Sequence, residues 1–105
     1  RGKTIMRILN IIIFIGVLYA DSSDSLLKAS AALNAGMFED ALMRVSKAQK
    51  EEPTNPDVHQ LKALLHEALD EPEDALEAWK ECVKYSKDKK VKRQAKIHIQ
   101  SLSQE

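Results

Sequence analysis

Residues 36–53 read GMFEDALMRVSKAQKEEP. Gly36 opens a turn, and Phe38, Ala41, Leu42, Val45 and Ala48 then recur at spacings of three and four, which is one face of a helix. Arg44, Lys47 and Lys50 fall on its polar side. Pro53 stops it, because proline lacks the donor that a helix interior needs. A variant of this stretch returns 34 residues later, where Ala75, Trp79 and Cys82 stand in for Ala41, Val45 and Ala48. A period of that size is the mark of a repeat architecture and takes precedence over any local reading.

The flanking sequence falls into step with this helix. Residues 24–35 carry Leu26, Leu27, Ala31, Ala32, Leu33 and Ala35 at helical spacing, with Asp24 or Ser23 available to cap the start. Gly36 ends that first helix, where a positive φ is often required. Pro56 opens a third helix at a position that tolerates proline, and Val58, Leu61, Ala63, Leu64, Leu65, Ala68 and Leu69 give it an apolar face. Residues 70–72 form a turn. A fourth helix over 73–85 points Ala75, Leu76, Trp79, Cys82 and Val83 inward. A fifth begins at or near Asp88 and runs to about Leu102, lined by Val91, Ala95, Ile99 and Leu102. Its remaining positions are mostly basic, which suits a terminal capping helix whose outer face meets water.

The first 20 residues differ in kind. Arg1, Lys3 and Arg7 precede an almost wholly apolar run at residues 8–20, ILNIIIFIGVLYA. A basic start, about 11–13 apolar residues and a small residue at Ala20 fit a secretory signal peptide. An uncleaved membrane anchor over residues 5–20 is the second reading, and a buried apolar helix of the domain the third. The run is short of the ~20 residues a span usually needs. The first two readings agree on topology, with the N-terminus in the cytoplasm and the rest outside. The domains expected are therefore a signal peptide or membrane anchor over 1–20 and a helical domain over 21–105. The latter divides into repeats at about 22–55 and 56–89 and a capping helix at about 89–103.

Sixteen basic and sixteen acidic residues among 105 cancel, which argues against a general nucleic-acid binder. The charges are unevenly placed. From Glu67 to Glu81 there are seven acids against Lys80 alone, and from Lys84 to Lys96 seven bases against Asp88 alone. Such faces are most often solvated, yet their opposition also suits head-to-tail association of copies. The single cysteine, Cys82, excludes an intramolecular disulfide.

Two helix–turn–helix units and a closing helix resemble the tetratricopeptide repeat family. The resemblance is carried by Gly36, Phe38, Ala41, Val45, Ala48 and Pro53 in the first unit and by Ala75, Trp79 and Cys82 in the second. Ala29 and Ala63 stand at the small position of each first helix, where the two helices approach closely. The sequence departs from the pattern at Ala32 and His66, which replace the aromatic of the first helix. It departs again at Asp70, which replaces the turn glycine, and after Tyr85, where no proline closes the second unit. The resemblance spans about residues 22–103 and implies an all-α, right-handed superhelix of antiparallel helix pairs, here preceded by an N-terminal apolar helix. The alternative is an unrelated antiparallel bundle.

In this family the first helices of successive repeats line a groove for peptides. By position that groove would comprise Leu26, Ser30, Leu33, Asn34, Gln60, Leu64 and Glu67, with Gln94 and His98 from the closing helix. In the alternative, Leu26 and Leu33 pack on the apolar N-terminal segment. The Lys and Asn clamp for a terminal carboxylate is not matched, since Leu26 and Ser30 stand where it would be. His66-Glu67 begins like the HExxH zinc motif, but Asp70 takes the place of the second histidine, so neither a metal nor a cofactor is expected. Cys82 has no CxxC partner and reads as a small apolar core residue. The expectation is a non-catalytic protein-interaction module, an adaptor or scaffold exported to the periplasm or cell envelope. It would bind a protein or peptide, would not bind nucleic acid, and would be able to associate with the membrane through residues 5–20 and to form oligomers. The alternative is an accessory subunit of a membrane complex anchored by the same residues.

Overall fold

The computed structural model describes residues 24–104. The expectations for residues 1–23, whether signal peptide, anchor or apolar helix, lie outside them. Five helices follow in order: α1 Asp24–Asn34, α2 Phe38–Glu51, α3 Pro56–Ala68, α4 Pro72–Tyr85 and α5 Lys89–Ser103. Each packs on its sequence neighbour, and α1 also touches α3. Among the described residues there is no strand, and no helix is long and apolar enough to cross a membrane.

The local chemistry explains the breaks. At Asn55 the side chain accepts a hydrogen bond from the Asp57 N–H at 2.9 Å, and Pro56 follows at the first helical position. Asp88 caps α5 in the same way, accepting from the Lys90 N–H at 2.8 Å. α4 starts at Pro72, one residue earlier than the sequence reading, because proline fits that first position.

The hydrogen bonds of the turns repeat along the chain. Gly36 N–H donates to Leu33 O at 2.9 Å and Met37 N–H to Ala32 O at 2.9 Å. Thirty-four residues later, Asp70 N–H donates to Glu67 O at 3.0 Å and Glu71 N–H to His66 O at 2.8 Å. This double bond pattern closes a helix with one residue in the left-handed region, and Gly36 (φ 78°) and Asp70 (φ 59°) are those residues. The exits match too, with Glu52 N–H bonded to Ala48 O and Ser86 N–H to Cys82 O. α2 and α4 are both 14 residues long. The result is an all-helical bundle of five packed helices, compatible with a helical repeat.

The core follows the same correspondence. Ala29 and Ala63 are fully buried, as are Ala41 and Ala75, Val45 and Trp79, and Ala48 and Cys82. Small residues on facing helices let the backbones approach, and the large side chains of Leu26, Leu33, Leu61, Leu65 and Trp79 fill the space between. Phe38, Leu42, Val83, Val91, Ile99 and Leu102 seal the margins.

Candidate functional site

The residues expected to line a peptide groove are mostly inside the molecule. Leu26, Leu33 and Leu64 belong to the core, and Ser30 and Gln60 are buried with them. The Glu67 carboxylate is also enclosed: its Oε2 accepts one bond from Trp79 Nε1–H and another from His98 Nδ1–H at 2.8 Å. His98 stacks on Trp79 with ring centroids 4.3 Å apart. Glu67 and His98 are thus brought together across three helices, with Trp79 of α4 between α3 and α5. Asn34 and Gln94 are exposed and His98 partly so. As placed, these three are the members of the set that offer surface to a partner.

Gln60 stands where the first unit has Leu26, and both are fully buried. Neither the Oε1 nor the Nε2 of Gln60 has a hydrogen-bond partner among the described residues.

A more open surface lies on the other side of α3. α2, α3 and α4 enclose a groove of about 600 Å³. Leu42, Ser46 and Gln49 of α2 form one wall. The floor is His59, Lys62 and His66 of α3. Asp74, Glu77, Ala78, Glu81 and Tyr85 of α4 form the opposite wall, and Pro53 closes one end. Asp74, Ala78, Glu81 and Tyr85 fall within one stripe of α4 by their spacing of three and four, with Glu77 beside it.

The floor is fixed by local bonds. His59 Nε2–H donates to Pro53 O at 2.8 Å, and its ring stacks on Tyr85 at 5.4 Å. Lys62 Nζ donates to Gln49 Oε1 at 3.0 Å, which ties the cation to the α2 wall. His66 is 8% exposed and donates from Nδ1 to Glu71 Oε1 at 2.9 Å. The α4 wall is different. Asp74 and Glu77 are exposed and form no hydrogen bond or ion pair through their carboxylates with any described residue. Glu81 Oε2 accepts no hydrogen bond from any described residue and has Lys84 Nζ 3.9 Å away.

One metal-like set exists among the described residues. His66, Glu71 and Asp74 bring one ligand atom each within 4.8 Å of one another. A divalent ion there would meet one buried imidazole and two exposed carboxylates. It would also lie against the N-terminal end of α4, whose positive dipole opposes a cation. Glu67, the acid next to His66 in sequence, points away toward Trp79 and His98.

Cys82 is buried, and its thiol is pushed up to about 12, first by burial and then by the charge of Asp57. Asp57 is itself raised from the usual carboxylate range by burial and by Glu52. The nucleophilic thiolate is therefore scarce at neutral pH.

The acids of the α4 wall were visible in the sequence as a charge run. That they form a groove wall was not, because the opposite wall is 25 or more residues away in α2. Compared with known proteins, the chain matches no family model, no curated protein and no solved structure.

Proposed function

We propose that this chain is a tetratricopeptide-like protein-interaction module that acts without catalysis, as an adaptor or scaffold exported to the cell envelope. The observation that carries the reading is the groove between α2 and α4. Its α4 wall presents Asp74, Glu77 and Glu81, two of them without a counter-charge among the described residues. Apolar surface from Leu42 and Tyr85 lies beside these acids. A groove of this kind takes a helical or extended segment that brings lysine or arginine to the acidic wall, with apolar contacts adding affinity.

The 34-residue duplication of turns and core supports the family-level part of the reading. Export rests on the basic and then apolar opening at residues 1–20. The test is capture from an envelope extract by the tagged full chain. A specific protein should be retained, and the double substitution Asp74→Arg, Glu77→Arg should release it while leaving the helical circular dichroism unchanged. Equal retention by the folded variant would remove the groove from the mechanism.

A further inference from the structure

The basic partner that suits the groove is carried by the same chain. We propose that α5 of one copy docks antiparallel along the α4 wall of another, so that the protein associates head to tail with itself. The inference rests on the reading of the α2–α4 groove as a binding surface and adds the identity of its occupant.

Spacing and charge argue for it. The acids Asp74, Glu77 and Glu81 are separated by three and then four residues. On α5, Lys89, Arg93 and Lys96 are separated by four and then three, and all three are exposed. Each set spans seven residues, about 10 Å of helix. Laid antiparallel, the two orders coincide: Lys96 meets Asp74, Arg93 meets Glu77 and Lys89 meets Glu81. A parallel arrangement would put the middle pair out of step by one residue. Ile97, 60% exposed on α5, lies beside the basic stripe and supplies an apolar contact for the groove.

The topology keeps α5 from filling its own groove. α5 contributes none of the lining residues and packs on α4. Donor helix and acceptor groove are therefore different surfaces, which makes the contact heterologous and able to propagate. The chain's net charge of zero leaves no overall repulsion between copies. Among the described residues Lys62 is the one lysine or arginine in the groove lining, and Gln49 holds it.

Sedimentation velocity on the full chain, in one mild detergent throughout, tests this at about 50 mM and about 500 mM salt. The mean mass should rise with protein concentration at low salt and fall back at high salt. Glu77→Arg alone and Arg93→Glu alone should each weaken association about tenfold or more. Mixing the two variants should restore it, because each then offers the other a complementary surface. A misfolded variant could not be rescued in this way. A wild-type chain that stays monomeric at low salt overturns the inference, as does a mixture that fails to reassociate. A peptide of residues 88–103, titrated by fluorescence anisotropy, separates the two readings. Binding that Glu77→Arg abolishes, from a chain that does not self-associate, keeps the groove and discards the second copy. Absence of both peptide binding and association discards α5 as the occupant, and the capture experiment with the Asp74→Arg, Glu77→Arg variant then decides the groove itself.

Discussion

At the scale of single residues, Gln60 breaks the pattern of its neighbours. An amide in a fully buried position costs free energy unless its oxygen and nitrogen are bonded, and both atoms of Gln60 are without partners among the described residues. The matching residue of the first unit, Leu26, fills the same kind of space with methyl groups. Gln60→Leu should therefore raise stability by about 1–2 kcal/mol, read as a higher urea midpoint at unchanged slope. A lower midpoint would mean that the amide makes a bond the fold depends on. Nothing in the sequence distinguished Gln60 from an exposed polar residue. The resemblance to the repeat family placed it on the groove side of a first helix, and burial there depends on how the helices meet. Glu67 was obscure for the same reason. Its partner His98 is 31 residues away on another helix, and only the assembled bundle brings the two within reach.

At the scale of elements, the chain places the same turn twice with different residues at its critical position. Gly36 adopts φ 78° and Asp70 φ 59°. A Cβ added at Gly36 would meet nothing within 4 Å. Gly36→Ala therefore tests backbone conformation without a steric clash and should cost about 1 kcal/mol. Asp70→Gly should do the reverse and gain about 0.5 kcal/mol, since part of the left-handed penalty is returned as glycine's greater chain entropy. Chemical unfolding of the two variants should show midpoints moving in opposite directions. A loss on Asp70→Gly would show that the aspartate side chain stabilises the turn. Helix boundaries were the most legible feature of the sequence because they are set locally. Gly36, Pro53, Pro56, Pro72 and Asp88 act on the backbone within a few residues of themselves, and each stands at or beside a helix end in the structure. The α2–α4 groove was illegible by the same logic. Asp74, Glu77 and Glu81 look like any solvated helix face until α2 is set opposite them.

At the scale of the whole molecule, α5 holds the second unit shut. Three repeats are commonly needed for a stable stack, and only two units and a closing helix are described. α5 packs Val91, Ala95, Ile99 and Leu102 onto the core and places His98 on the ring of Trp79. It also supplies one of the two donors to the buried Glu67 oxygen. Removing α5 would uncover Trp79 and leave that carboxylate with Trp79 Nε1–H alone. A chain stopped after Ser86 should therefore lose its cooperative unfolding transition, not merely a fraction of its stability. Trp79 is the one tryptophan in the sequence, so its fluorescence reports this directly. The emission maximum should shift to the red in buffer, and the urea transition should broaden. A truncated chain with native emission and a sharp transition would show that the two units hold together unaided. α5 would then be free to serve chiefly as the basic helix offered to a neighbour. Retention of α5 with Lys89 and Arg93 reversed in charge gives the complementary measurement. Both side chains are exposed, so this variant should keep the native emission and the sharp transition that truncation removes.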